Sequence, residues 1–203
     1  MMQRLDIHPV NPQRHLLDRA VDVLRDDGGI CVYPTDTVYG IGACASHPRA
    51  LDRIARLLAK DKKRLFSFIF SDFSQMSDYA VVSNAHYKLM KRYLPGPFTF
   101  ILPATHFVPK KVCPRRRQVG VRIPASVTCQ QLVAALGEPL ANASVGIPGE
   151  RRGNPDEVAA AVAHEVDLFL DTGYLDDPRG STIIDLTCTP PVLVREGKGE
   201  FEG

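Results

Sequence analysis

Tyr33-Pro34-Thr35-Asp36-Thr37-Val38-Tyr39-Gly40 is the stretch on which the reading of this chain turns. A short apolar run, Ile30 to Tyr33, reads as a buried strand that stops at Pro34. Thr35 and Thr37 then fall at the end of that strand, and Gly40 and Gly42 permit close backbone approach. Hydroxyls and free backbone N–H groups in such a place can cradle a phosphate or a small carboxylate. The competing reading is a strand-ending turn in which Asp36 and the threonines satisfy their own backbone. The residues alone leave both open. No GxxxxGK(S/T) loop and no strand-linked GxGxxG occurs, which excludes the common nucleotide-binding loops.

Outward from this stretch, strands and helices interleave. Before it, Asn11-Pro12 reads as a cap and first turn for a helix carrying Leu16, Leu17, Ala20, Val21 and Leu24 on one face. Gly28-Gly29 ends that helix. After it, Ser46 is placed to cap a helix with Leu51, Ile54, Ala55 and Leu58 on one face. A strand at Leu65 to Phe70, a helix at Asn84 to Leu94, the turn Pro95-Gly96-Pro97 and a strand at Phe98 to Leu102 follow. The second half adds a strand at Val119 to Ile123 and a helix capped by Ser126 and running through Leu136. A strand at Pro139 to Ala143 and a helix at Asp156 to His164 behind Asn154-Pro155 come next. Strands near Val166–Leu170, Thr182–Leu186 and Val192–Arg195 close the chain. Some neighbouring strands lack an intervening helix, so a mixed, twisted sheet flanked by helices is expected rather than a purely parallel one. With 203 residues and no linker or repeat, the expectation is a single domain over 1–203.

The formal net charge is only +2, so its distribution carries more meaning than its sum. Lys60, Lys62, Lys63 and Arg64 form one basic cluster. Lys110, Lys111, Arg115, Arg116 and Arg117 form another, and Arg151 and Arg152 a third. Three clusters beside candidate anion-binding turns favour a polyanionic ligand. The five cysteines are scattered, with no CxxC pair and no zinc spacing, which fits reduced thiols in a cytoplasmic protein and no metal site. No apolar run has the length of a membrane span or of a signal core.

The stretch from Tyr33 to Gly40 resembles the signature of the YrdC/YciO family. The resemblance continues through Pro95-Gly96-Pro97-Phe98-Thr99-Phe100-Ile101-Leu102, Gly120-Val121-Arg122-Ile123-Pro124 and Gly137-Glu138-Pro139-Leu140. Ser181-Thr182-Ile183-Ile184-Asp185-Leu186 and Val194-Arg195-Glu196-Gly197 complete it, so that it spans residues 10 to 200. It implies a mixed α/β fold with a large, open, basic cavity. Its best-understood members are threonylcarbamoyl-AMP synthases, which combine ATP, L-threonine and bicarbonate with release of pyrophosphate for tRNA modification. The family is also described as binding double-stranded RNA and tRNA.

Carried over position by position, the resemblance puts Thr35 and Arg122 at the threonine substrate, where an arginine fork suits a carboxylate. A structural ion pair is the alternative role for Arg122. Ser144, Ser181, Thr182 and Arg195 match positions on the nucleotide side. Two departures stand out. The synthases' phosphate-binding Lys-x-Arg becomes Leu58 and Lys60, so that Lys60 and Arg64 would supply charge from shifted positions. Their Ser-Ala-Asn becomes Ser144-Val145-Gly146. Both departures, with Gly173-Tyr174-Leu175, bring the chain closer to the YciO-like branch. The expectation is therefore a YciO-type protein that binds double-stranded RNA or tRNA through Lys110, Lys111 and Arg115–Arg117, and a nucleotide in the cavity. The alternative is an active L-threonylcarbamoyladenylate synthase using ATP, L-threonine and Mg2+.

Overall fold

The computed structural model describes residues 2–25, 28–59, 66–109, 117–145, 147 and 149–202, the side chains of 57–59 and 150 excepted. Lys60, Lys62, Lys63, Arg64, Lys110, Lys111, Arg115, Arg116 and Gly146 lie outside the described residues.

In chain order the elements are β1 (Gln3–Asp6), α1 (Arg14–Arg25), β2 (Cys31–Tyr33), β3 (Gly40–Cys44), α2 (Pro48–Ala59), β4 (Ser67–Ile69), α3 (Phe73–Tyr79), α4 (Asn84–Met90) and β5 (Phe98–Pro103). Then come β6 (Gln118–Arg122), α5 (Val127–Leu136), β7 (Leu140–Ser144), a 3-10 turn (Gly149–Gly153), α6 (Pro155–Val162), β8 (Leu168–Asp171), β9 (Thr182–Asp185) and β10 (Val192–Arg195). The ten strands form one sheet in the order β1-β8-β2-β3-β7-β4-β6-β5-β9-β10. Pairing is parallel at β1–β8, β2–β8, β4–β6 and β5–β9, and antiparallel elsewhere, so the sheet is mixed as expected.

The helix starts follow local chemistry. Ser126 caps α5 by accepting from Cys129 N, and Asn154 caps α6 by accepting from Asp156 N with Pro155 at the first turn. Two expected starts move. Helix α1 begins at Arg14, after Asn11-Pro12, and α2 begins at Pro48, where a proline needs no N–H partner. Ser46 instead gives its backbone N–H to Glu138. Gly137 ends α5 in the left-handed region, at φ 75°.

Alternation along the strands divides the packing between two faces. One face carries Phe68, Phe100, Val121 and Ala141 against Met76 of α3 and Met90 of α4. It also carries Val32, Ile41, Ala143 and Phe169 against Ala50 and Ile54 of α2 and Val158 of α6. The other face is covered only in part. Leu17, Ala20 and Leu24 of α1 and Cys129, Leu132 and Val133 of α5 pack on Cys31, Tyr33, Leu168 and Leu170. Leu140 of β7 and Ile69 of β4 still belong to this cluster, but further along β7, β4 and β6 the residues of that face, Asn142, Ser144, Ser67 and Gly120, are small or polar.

Candidate functional site

The open face is built by register. Gly40 pairs with Ser144, Gly42 with Asn142, Asn142 with Ser67, and Ser67 with Gly120. Paired residues point to the same side, so these positions make one floor across β3, β7, β4 and β6. Ser144 is exposed, and Ser67 and Gly120 are only partly buried, although their strands are in the middle of the sheet. A central strand ordinarily buries both faces in a sheet flanked by helices. Tyr33 is paired with Gly40 and lies on this same face, its ring against Gly40 and Gly42. Tyr33 OH donates to Asn142 Oδ1 at 2.7 Å, and Asn142 Nδ2 donates to Ser67 Oγ at 3.1 Å. Glycine is required at the edge of this network: a Cβ on Gly40 would be 2.6 Å from Asn142 Oδ1, and one on Gly42 2.8 Å from the Tyr33 ring.

The Thr35–Thr37 turn reaches across this face. Thr35 Oγ1 accepts from Thr37 N and Val38 N at 3.2 Å and donates to Val38 O at 2.6 Å. Asp36 accepts from Ala125 N at 3.0 Å and pairs with Arg122 Nη2. The same nitrogen donates to Thr37 Oγ1 at 2.7 Å and to Thr35 Oγ1 at 3.4 Å. Thr35 and Arg122, matched separately from sequence, are thus in contact, and Arg122 also makes the ion pair that was its alternative role. Arg122 is 4 % exposed and its Nε is buried without a partner. A carboxylate ligand gripped by both Nε and Nη2 must therefore displace Asp36 or a threonine from Nη2.

Tyr39, at the other end of the turn, holds the wall of a cleft. Its hydroxyl donates to Gly173 O at 2.6 Å and accepts from Thr172 N at 3.2 Å, and burial pushes its pKa up to about 12. The cleft has a volume of about 1180 Å3, and its lining includes Arg151, Arg152, Tyr174, Arg179 and Arg195. Arg151 is paired with Glu157, and Arg179 with Asp177. Arg152 and Arg195 have no carboxylate partner among the described residues. Arg152 Nε instead donates to Ile147 O at 2.5 Å.

Arg195 joins the cleft to the floor. Its guanidinium donates to Ser181 O at 2.6 and 3.0 Å and to Ser181 Oγ at 3.1 Å, and Ser181 Oγ meets Thr99 Oγ1 at 2.8 Å. A bulge between Leu193 and Arg195 brings Arg195 opposite Ile183. Partial burial lowers the Arg195 pKa, and the positive charges of Arg152 and Arg122 lower it further. Three guanidinium groups thus act on one region, and a bound anion would relieve their repulsion.

Thr182 does not join them. It is paired with Phe98, donates to Gly199 O at 2.5 Å and accepts from Gly197 N at 3.1 Å. That places it against the C-terminal segment on the covered face, because neighbouring strand residues point to opposite sides. Arg117 is exposed at the start of β6, the end opposite Arg122. Leu58 lies in α2. Asn142, Ser67, Gly120 and Thr99 were not among the expected site residues. Their signal in the sequence is small or polar residues at alternating positions of otherwise apolar strands.

The chain matches the profile of a family named Sua5/yciO/yrdC and described as telomere recombination, over residues 23–197. It is 38% identical to the uncharacterized protein YciO of Escherichia coli, over 100% of this chain and 98% of that one. The crystal structure of E. coli YciO superposes with a TM-score of 0.91, covering 98% of each chain. More distantly, it is 31% identical to the threonylcarbamoyl-AMP synthase of Pyrococcus abyssi over 84% of this chain, spanning about half (51%) of the synthase. P. abyssi Sua5 complexed with L-threonine superposes with a TM-score of 0.87 at 28% identity, over 96% of this chain and 57% of Sua5. Sequence and fold agree along nearly the whole length, and the chain belongs to the Sua5/YciO/YrdC family.

Proposed function

We propose that this chain is a YciO-type protein that binds a nucleotide over the open face of its sheet. It acts in threonylcarbamoyladenosine metabolism as a cytoplasmic protein that also engages double-stranded RNA or tRNA. One observation carries the nucleotide reading: Arg152 and Arg195 line one cleft beside the polar floor, and among the described residues no carboxylate neutralises either. Two like charges lining one cleft attract a polyanion, and phosphate takes an arginine fork in two hydrogen bonds. Ser181 supplies a hydroxyl beside Arg195, and the exposed Ser144 supplies another on the floor. RNA engagement rests on the charge of Lys110, Lys111 and Arg115–Arg117.

Calorimetric titration with ATP, ADP and AMP tests the nucleotide reading. Affinity rising with the number of phosphates, and falling for Arg195→Gln, is the expected result. No heat with any nucleotide at millimolar concentration overturns it.

A second reading, an active L-threonylcarbamoyladenylate synthase, is favoured by the contact between Thr35 and Arg122 and by the likeness to a Sua5 solved with L-threonine. In it Arg122 and Thr35 hold threonine while Arg195, Ser181 and Ser144 orient ATP. Lys60 and Arg64 add charge at the phosphates. Among the described residues no three His, Cys, Asp or Glu converge, so Mg2+ would arrive with the ATP phosphates. Pyrophosphate release that requires ATP, L-threonine and bicarbonate together decides between the readings.

A further inference from the structure

Two hydrogen-bond chains run through the floor, and each ends on a hydroxyl proton with no acceptor among the described residues. The first starts at Tyr33, whose hydroxyl donates to Asn142 Oδ1, and Asn142 Nδ2 donates in turn to Ser67 Oγ. Burial fixes this direction. Tyr33 is 0% exposed, and in the reverse order, with the amide donating to Tyr33, the tyrosine proton would be stranded in the interior. Burial also raises the Tyr33 pKa well above the usual tyrosine value, so this donor keeps its proton. In the order observed the unused proton belongs to Ser67, which is only partly buried.

The second chain starts at Arg195. Its Nη2 donates to Ser181 Oγ at 3.1 Å, and Ser181 Oγ lies 2.8 Å from Thr99 Oγ1. Whichever of the two hydroxyls donates to the other, one proton of the pair is left over. Ser181 and Thr99 are each 6% exposed, and a spare buried donor is costly until a ligand takes it. Thr99 alternates with Phe98 and Phe100, which pack on the side of α3 and α4, so it points to the same side as Ser67 and Gly120. Gly120 separates the two chains: a Cβ there would be 3.3 Å from both Ser67 Cβ and Thr99 Cγ2. Strands β4, β6 and β5 thus carry a donor, a gap and a donor. Among the described residues no carboxylate is bonded to a member of either chain.

We infer that Ser67 and the Thr99–Ser181 pair are ligand-binding residues whose spare protons, with Arg195, form a row of donors for the joined phosphates of a nucleotide. The inference rests on the nucleotide reading above and names the groups that meet the phosphate chain on the floor. Ser67 and Asn142 belong to none of the motifs that placed Thr35, Arg122, Ser144, Ser181 and Arg195. Asn142 and Tyr33 are positioning residues: they set which way the Ser67 hydroxyl donates. Two strand spacings, about 10 Å, separate β4 from β5, and a hydrogen bond of about 2.8 Å at each end leaves a gap too wide for one phosphate. Joined phosphates fill it.

The test is calorimetric titration of the full chain with ATP, and displacement of ATP by AMP. Ser67→Ala is expected to weaken ATP about tenfold and to change AMP less than about twofold, because one phosphate held at Arg195 does not reach Ser67. Ser67→Thr keeps the hydroxyl and is expected to stay within about threefold of wild type for both ligands. Tyr33→Phe frees Asn142 Oδ1 to take the Ser67 proton. It is therefore expected to weaken ATP as Ser67→Ala does, and the double variant no further. Unchanged ATP affinity in Ser67→Ala, equal weakening of ATP and AMP, or additive losses in the double variant overturns the inference. The nucleotide reading then still stands on the loss in Arg195→Gln. Absence of ATP binding by the wild type overturns both. If Tyr33→Phe fails to fold, the contrast between Ser67→Ala and Ser67→Thr decides alone.

Discussion

The Arg122 guanidinium on β6 is ion-paired with Asp36 in the turn between β2 and β3, although β7 and β4 separate β3 from β6 in the sheet. At ~4.8 Å per strand the gap is about 14 Å, so the turn must lie across the sheet face to make the pair. The pair thereby fixes the position of Thr35 and Thr37 over the floor.

Removing one partner leaves the other charge buried and uncompensated. Asp36→Ala should lower the free energy of unfolding by about 3–5 kcal/mol. Adding Arg122→Met to that variant should recover much of the loss. Urea unfolding of the two single variants and the double variant measures the coupling. A loss below about 1 kcal/mol in Asp36→Ala would mean that water already serves the guanidinium.

Tyr33→Phe deletes the donor to Asn142 Oδ1 without changing the packing of the ring. The buried acceptor then costs about 1–3 kcal/mol of stability. Gly40→Ala should cost at least as much, because its Cβ falls on the same oxygen. Both should also weaken nucleotide binding, since both disturb the floor. Thermal unfolding with and without ATP separates the two effects.

Arg152→Gln should weaken binding of ATP about tenfold or more and cost only about 0.5–1.5 kcal/mol of stability, since among the described residues Arg152 has a hydrogen bond to Ile147 O to lose but no ion pair. Arg152→Lys should retain part of the affinity as a point charge. An unchanged dissociation constant in Arg152→Gln would remove the residue from the phosphate site.

Burial pushes the thiols of Cys44 and Cys129 up to about 12 and that of Cys31 higher still, so all three stay protonated in the folded chain at pH 8. An alkylating reagent should therefore label Cys188, which is exposed, and spare Cys31, Cys44 and Cys129 until the chain unfolds. The linkage has a definite sign. Above about pH 9 the unfolded thiols lose protons that the folded ones keep, so stability falls as pH rises from 9 towards 12. Each thiol contributes about 1.4 kcal/mol per pH unit in that window. Peptide mapping after alkylation, and urea unfolding at pH 8 and pH 10, check the two halves separately.

Where local chemistry decides an element, the sequence showed it. Ser126 and Asn154-Pro155 mark real helix starts, and the 3.6-residue spacing of Leu17, Ala20, Val21 and Leu24 marks a real buried face. Strands made by their neighbours were not legible. Gly40–Cys44 has two glycines and one branched residue, and it is a strand because β2 and β7 pair with it on both sides. Gln3–Asp6 is polar and extends only along β8. Phe73–Tyr79 is too short to show a period. In the site, Thr35 and Arg122 could be named from motifs, but Asp36 between them could not be assigned to Arg122, since that pairing depends on the turn crossing the sheet. Thr182 illustrates the converse: one position along from Ser181, it faces the other way.

The bulge that delivers Arg195 has a second consequence, for solubility. Val192, Leu193 and Val194 are each about half exposed on the outermost strand, at 47%, 49% and 52%. A long, regular, apolar outer strand invites another chain to extend the sheet. The register shift between Leu193 and Arg195 interrupts the ladder within this four-residue strand, and a cation follows directly. One irregularity thus both aims an arginine at the cleft and breaks a template for self-association. Making the strand regular would put the protein at risk of aggregation as well as loosening its hold on anions.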